Sequence, residues 1–192
     1  MAKIQPLPSS PCSSSSYGNQ QSSQAYTVWM KSLVFNGNGC AVYGPDGAVA
    51  FRVDNYGCRG GRHVLFMDRA GNALIRIRRK GLGMFRRWEV CRCAHDGGEG
   101  DEVTPWFSVR RAEKGGATVA MHGGAIDGCC ARKPEYRIRD VDGTVVAEVA
   151  RKQTAAGVVL GEDVLTLTVG PEVDQQLVLG LVVVHGLMNR SL

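Results

Sequence analysis

The sequence predicts a mainly β domain of short antiparallel strands, arranged as a sandwich or a barrel. Glycine makes up 25 of the 192 residues, nearly twice the usual ~7%, which indicates frequent turns. Short apolar runs of strand length recur roughly every 8 to 14 residues, as is typical of meandering antiparallel sandwiches and barrels. One apolar segment, residues 177–188, is longer than these runs, and its pattern alone leaves strand and helix both open.

Length and composition favour one folded domain. A chain of 192 residues has room for one ordinary domain, and 44% apolar with 21% charged residues excludes wholesale disorder. No run approaches the ~18 uninterrupted apolar residues that a spanning helix needs. The seven cysteines are odd in number and no signal-peptide pattern precedes them. We therefore expect reduced thiols and a cytoplasmic protein, with a peripheral membrane location or a nuclear one as alternatives.

Residues 1–25 predict a tail outside the folded domain. They are rich in Ser and Gln and have almost nothing to bury, so they cannot offset the entropy of ordering. We expect a disordered tail over residues 1–25 and a single barrel domain over residues 26–192.

Twelve apolar runs supply the predicted strands. Three pairs of runs share one pattern, in which the intervening turn ends in a glycine, and we expect a positive φ at Gly47, Gly71 and Gly143. The twelve runs are residues 28–33, 41–43, 49–53, 64–67, 74–77, 85–91, 106–109, 118–121, 136–138, 145–149, 158–160 and 164–169.

Several of these segments, taken in order, resemble a plant protein family. They are VWMKSL at 28–33, RVDNY at 52–56, LFMD at 65–68, WEV at 88–90, LGEDVLTL at 160–167, and VD at 173–174 followed by LGLVVV at 179–184. Together they resemble the LURP-one-related proteins. The resemblance implies the fold shared with tubby proteins and phospholipid scramblases, a closed barrel of about twelve strands around a central apolar helix. It also implies a link to plant defence, in a superfamily that includes membrane-tethered proteins that bind phosphoinositides.

The long apolar segment is the candidate for that central helix, over residues 174–188. Twelve strands give a barrel radius of roughly 12 Å, which leaves a lumen that a helix ~10 Å across would fill. Three valines at 182–184 favour a strand, but the segment is apolar on every side, and Pro171 and Asp174 are start signals for a helix. With the resemblance we predict a helix that buries Leu177, Leu181 and Val184.

Motifs of catalysis and of metal binding are largely absent. The sequence has no nucleophile elbow, P-loop, dinucleotide fingerprint or H-E-x-x-H motif, so we expect no enzyme and no cofactor. Cys91 with Cys93 and Cys129 with Cys130 form two pairs that a zinc site could recruit, but neither spacing is that of a zinc knuckle. We expect small buried side chains and no metal.

One charged stretch stands above the background. Residues 76–87 contain six cations and no acid, although the whole chain carries a net charge of only +5. Alternation places two of the arginines on the strand face opposite Ile75 and Ile77, so these arginines are expected to point outward. The six candidate anion-binding residues are Arg76, Arg78, Arg79, Lys80, Arg86 and Arg87.

An apolar turn lies between these cations and completes the candidate site. Its tip residues Leu82, Met84 and Phe85 could enter a lipid headgroup region while the cations hold phosphates. A solvated hairpin, whose Arg stems cover the barrel surface, explains the same pattern. Both interpretations stay open at this point.

These features favour a non-enzymatic binding or scaffold module in plant signalling or defence, monomeric, with anionic membrane lipids and unidentified proteins as partners. The alternative is a nucleic-acid-associated regulator of the membrane-tethered kind, since the same charges suit phosphodiesters. A second alternative is scramblase-like lipid handling. The patch is short and has few aromatic platforms, which argues against nucleic acid as the partner.

Overall fold

The computed structural model confirms the predicted architecture, twelve antiparallel strands closed into a barrel with one helix. It describes residues 22–30, 39–54, 63–81, 87–93, 103–112, 116–120, 124–127 and 135–189. The strands are β1 Gln24–Trp29, β2 Gly39–Tyr43, β3 Val49–Asp54, β4 His63–Asp68, β5 Ala73–Lys80, β6 Arg87–Cys93, β7 Val103–Arg111, β8 Ala117–Ala120, β9 Ala125–Asp127, β10 Tyr136–Arg139, β11 Val145–Arg151 and β12 Val164–Val169. The helix α1 is Gln175–Asn189.

Every strand pairs with its neighbours in the chain, and the first strand closes the ring on the last. Val28 of β1 lies opposite Val42 of β2 on one side and Leu165 of β12 on the other. Because successive strands alternate in direction, odd-numbered strands all finish at one end of the barrel and even-numbered strands at the other.

Alternation along the strands separates the core from the surface. Ile75 and Ile77 of β5 are fully buried inside the barrel, whereas Arg76 and Arg78 lie on the opposite strand face. The turns follow the predicted chemistry, because Gly47, Gly71 and Gly143 all have a positive φ.

The helix α1 runs through the lumen and is buried over residues 178–186. Leu181 and Val184 are buried, whereas Leu177 is half-buried because it lies in the first turn, near the barrel mouth. The three valines at 182–184 are helical and buried, since the enclosing strands override their β propensity. Gly180 lets the helix approach the ring of Phe107.

Side chains complete both ends of α1. Asp174 is the N-cap: its Oδ1 accepts hydrogen bonds from the amides of Gln176, at 2.9 Å, and Leu177, at 3.2 Å. At the other end, Arg111 of β7 donates to the carbonyl of Met188 at 2.6 Å and to Asn189 Oδ1 at 3.2 Å. Arg111 therefore holds the last turn of the helix to the barrel, while the Asp174 cap satisfies amides of the first turn.

His185 lies buried in the last part of the helix. Its ring stacks on that of Tyr136 with centroids 3.8 Å apart, and Asn189 Nδ2 lies 3.0 Å from His185 Nε2. Burial lowers the pKa of His185 to about 4, and the nearby charge of Arg111 acts in the same direction. The side chain is a neutral core residue at neutral pH.

Two sequence predictions about strands are wrong. Residues 158–160 are not a barrel strand: they form one arm of a hairpin that leaves the barrel between β11 and β12, with a single bridge between Gln153 and Val159. The strand β9, Ala125–Asp127, was not predicted, because it has three residues and no extended apolar run. The first strand begins at Gln24, inside the predicted tail, and residues 1–21 lie outside the described residues.

Candidate functional site

The predicted basic hairpin corresponds to strands β5 and β6. Arg76, Arg78, Arg79 and Lys80 lie on β5, and Arg87 begins β6 opposite Lys80. The remaining predicted site residues, Leu82, Met84, Phe85 and Arg86, lie outside the described residues.

The outer face of the hairpin is partly neutralised by Glu89, an acid that lies just beyond the basic stretch in the sequence. Glu89 Oε1 accepts from Arg78 Nε at 2.8 Å, and Glu89 Oε2 lies 3.1 Å from Lys80 Nζ. Burial alone would raise the pKa of Glu89, but the bonds from Arg78 and Lys80 outweigh it and hold that pKa below its usual value. Glu89 is therefore ionised, and it removes one positive charge from this face.

The cations of β5 do not all share one surface. Arg79 lies on the same strand face as Ile75 and Ile77, which is the face that points into the barrel. Because Arg79 is exposed, it lies at the rim of the barrel and not in its core. Arg87 and Lys80 are opposite each other on the outer face, where the two strands meet the connecting turn. The charge is therefore concentrated at one end of the barrel more than along its wall.

That end carries further cations from other strands, and we call it the basic end. It is the end at which α1 finishes, because Arg111 at the end of β7 contacts Met188 and Asn189. The odd-numbered strands β5, β7 and β11 finish there, and β6 begins there. Its described cations are Arg79, Lys80, Arg87, Arg110, Arg111, Arg151 and Lys152, and its described acids are Asp54, Glu135, Glu162 and Asp163.

The opposite end, where α1 begins, has the reverse charge and is called the acidic end. It consists of the turns after β2, β4 and β10 and the segment that leads into the helix. Its described acids are Asp46, Asp68, Asp140, Asp142, Glu172 and Asp174, and its described cations are Arg69, Arg92 and Arg139. The sequence analysis missed this polarity, although assigning alternate turns to alternate ends would have revealed it.

A polar groove of about 470 Å³ lies at the acidic end beside the start of α1. Its lining includes Leu74, Val173 and Asp174 together with Arg92. The Arg92 guanidinium lies 3.9 Å from the ring centroid of Trp106 and 2.9 Å from Asp174 Oδ2. The two charges of the groove therefore compensate each other, and Asp174 is also committed to capping the helix.

The described cysteines include two buried thiols. Burial raises the pKa of Cys40 to about 12, with a further contribution from Asp54, and burial also raises the pKa of Cys91. Within the described residues, no group of three or more His, Cys, Asp or Glu side chains could hold a metal ion. Cys129 and Cys130, the other pair considered for zinc, lie outside those residues.

The geometry defines a helix-filled β-barrel with one cationic end. Among the described residues, no helix has the length and apolar character that a membrane span requires. A family model described as LURP-one-related matches residues 24–186, and the chain belongs to the LURP-one-related family.

Similar proteins of Arabidopsis thaliana support the assignment to this family. Protein LURP-one-related 11 of Arabidopsis thaliana is 34% identical over 183 residues, which covers 86% of this chain and 78% of the relative. Protein LURP-one-related 4 of the same plant is 39% identical over 171 residues, with 86% and 79% covered. An Arabidopsis thaliana protein of known X-ray structure has the same fold, with a TM-score of 0.61 at 17% identity over 88% of this chain and 93% of that chain.

Proposed function

We propose that this protein is a non-enzymatic binding module that docks its basic end on an anionic membrane surface. The observation that carries the proposal is the separation of charge between the two ends of the barrel: the described residues give seven cations against four acids at the basic end, and six acids against three cations at the acidic end. A charged bilayer attracts the first end and repels the second, so the field orients the molecule before contact. Docking would position the barrel at the cytoplasmic leaflet, where a scaffold in plant signalling or defence would act.

The strength of such docking follows from the number of cations that reach the surface. A basic residue near an anionic leaflet contributes ~1 kcal/mol. Several of the cations are committed elsewhere, since Glu89 holds Lys80, and Arg111 caps the helix. Arg79, Arg87 and Arg110 remain as the main candidates, so we expect reversible binding that weakens as salt rises.

Arginine suits this role chemically. Its planar guanidinium can donate two parallel hydrogen bonds to phosphate oxygens, which a headgroup phosphate or a phosphoinositide offers. The sequence predicts that Leu82, Met84 and Phe85 contact the same membrane, and these residues lie outside the described residues. We keep that contact as part of the proposal.

The test is cosedimentation with vesicles of phosphatidylcholine, with and without phosphatidylserine or a phosphoinositide. The double variant Arg79→Gln with Arg87→Gln removes two charges from the basic end. Its matched control, Arg69→Gln with Arg137→Gln, removes two exposed charges from the acidic end and the barrel wall. We expect the first variant to bind anionic vesicles at least tenfold more weakly, since two contacts of ~1 kcal/mol are lost. The control should bind like the wild type.

Three results would contradict the proposal. One is wild-type protein that ignores anionic vesicles at low salt. Another is equal weakening by both double variants, which would show a dependence on net charge alone. The third is efficient competition by duplex DNA at lower concentration than the vesicles, which would favour the nucleic-acid alternative.

A further inference from the structure

The hairpin between β11 and β12 leaves the barrel and presents apolar side chains to solvent. The amide of Lys152 donates to the carbonyl of Val164 at 3.0 Å, and the amide of Leu160 donates to the carbonyl of Lys152 at 2.9 Å. The tip is closed by Gly157, whose amide donates to the carbonyl of Thr154 at 2.9 Å. The turn of the hairpin lies four residues beyond Arg151, which places it about 13 Å from Arg151 and Leu165, the last residue pair of β11 and β12.

Three consecutive aliphatic residues of this hairpin are exposed to solvent, although aliphatic side chains are usually buried. The exposed fractions are 61% for Val158, 44% for Val159 and 44% for Leu160. The hairpin has a defined backbone, so these side chains have a surface position that the fold itself maintains. Val158 and Leu160 lie on one face of the extended arm and Val159 on the other, so exposed aliphatic groups are available for contact on both faces.

The charged groups at the base of the hairpin are already paired. Lys152 Nζ donates to Thr27 Oγ1, and Arg151 lies 3.7 Å from Glu162. The Trp29 indole donates to Asp163 Oδ2 at 3.0 Å. The exposed surface of the arm at Val158, Val159 and Leu160 is therefore apolar rather than charged, and any binding through it should depend little on salt.

We infer that this hairpin is a membrane-insertion element, and the inference rests on the proposed function. The hairpin projects from the basic end, because β11 finishes there and β12 begins there. It stands five strands around the ring from β5, so the cations of β5 and the apolar tip lie on well-separated parts of one rim. A flat anionic bilayer can meet both, with phosphates at the cations and the acyl boundary at Val158, Val159 and Leu160.

The size of the tip favours a bilayer over a folded protein partner. A stable protein interface covers about 800 Å² on each partner, which three partly exposed aliphatic side chains do not supply. Interfacial insertion needs an apolar group to enter only ~5–10 Å beyond the headgroups, and Val158, which pairs with Thr154 three residues beyond Arg151, stands about 10 Å from the last barrel pair.

The experiment compares two matched double variants in vesicle cosedimentation. Val158→Ser with Leu160→Ser removes apolar surface from the hairpin. Val141→Ser with Val145→Ser removes apolar surface of similar exposure, 67% and 40%, from the turn at the acidic end. We expect the hairpin variant to bind phosphatidylserine vesicles about tenfold more weakly with an unchanged salt dependence, since two half-exposed aliphatic contacts are lost. The control should bind like the wild type.

A gain-of-contact variant gives an independent readout. Val159→Trp introduces an aromatic ring that favours the membrane interface, and its fluorescence should be quenched by brominated lipids beyond the level of the wild type. Val141→Trp provides the control at the opposite end and should add no quenching. Melting temperatures should stay within a degree or two, since all five substituted positions are exposed.

The outcomes separate this inference from the proposed function. If the wild type binds anionic vesicles and both serine variants bind equally well, the insertion element is refuted while docking by the basic end stands. If the wild type does not bind, both fail. A concentration-dependent dimer that Val158→Ser abolishes would show a second copy as the occupant and overturn the inference.

Discussion

Gly180 provides a sharp test of the enclosed helix. An added Cβ at this position would lie 3.3 Å from Phe107 Cζ and 3.6 Å from Ile75 Cδ1, against ~3.5–4.0 Å for an ordinary carbon contact. Both neighbours are fully buried and have little room to move. Gly180→Ala gains ~1 kcal/mol of helix propensity, which offsets the close contact, so its stability should stay within about 1 kcal/mol of the wild type.

Gly180→Leu adds three more side-chain carbons than Gly180→Ala, at a position where the Cβ alone already contacts the ring of Phe107. Overpacking of this kind costs ~1–3 kcal/mol, and we expect about 2 kcal/mol relative to Gly180→Ala, because the two residues have similar helix propensities. The loss corresponds to a melting temperature about 4–8 °C lower, measured by circular dichroism or calorimetry. A leucine variant that melts with the alanine variant would refute the close packing of α1 against Phe107.

Two more predictions concern the ends of the helix. The pKa of His185 in the folded protein is about 4, below its usual 6.5, so the unfolded state takes up a proton first as pH falls. The free energy of unfolding should therefore be largest above pH 6.5 and decline by ~3 kcal/mol towards pH 4. Denaturant unfolding at a series of pH values measures this decline. His185→Phe should remove that decline, and a wild type with constant stability over this window would contradict the burial of a neutral imidazole. Asp174→Ala should lower the free energy of unfolding by ~1 kcal/mol because the helix loses its N-cap, and Asp174→Asn should lower it less. Equal melting temperatures for the wild type and both variants would show that the cap contributes nothing.

Much of the fold was predictable because its signals are local. Strict alternation around Ile75 and Ile77 identified β5, and the turn glycines identified three hairpins. The helix needed more than local signals, since the three valines at 182–184 favour a strand and only enclosure by the barrel makes them helical. The prediction of a barrel strand at residues 158–160 was wrong because apolar character predicts burial, whereas these residues are exposed.

The site was only partly predictable because its charges are brought together by register. The sequence shows six cations within residues 76–87, but pairing of β5 with β6 sets Glu89 opposite Arg78 and beside Lys80. Arg110 belongs to β7 and reaches the same end only through the topology of the ring. A hairpin register drawn around the turn after Lys80 would have revealed the Glu89 pairing, and closure of the barrel would have revealed the rest.

The most direct measurement of the central claim is a gain of binding. Glu89→Gln frees Arg78 and Lys80 at the basic hairpin, and Glu148→Gln makes the same charge change on the barrel wall, where Glu148 pairs with Arg137. In cosedimentation with phosphatidylserine vesicles at physiological ionic strength, Glu89→Gln should bind about fivefold more tightly than the wild type, since one further cation contributes ~1 kcal/mol. Glu148→Gln should bind nearly as the wild type does, because screening over ~8 Å isolates the wall from the membrane. Equal affinities for Glu89→Gln and Glu148→Gln, or binding of the wild type to neutral vesicles as tightly as to anionic ones, would contradict docking by the basic end.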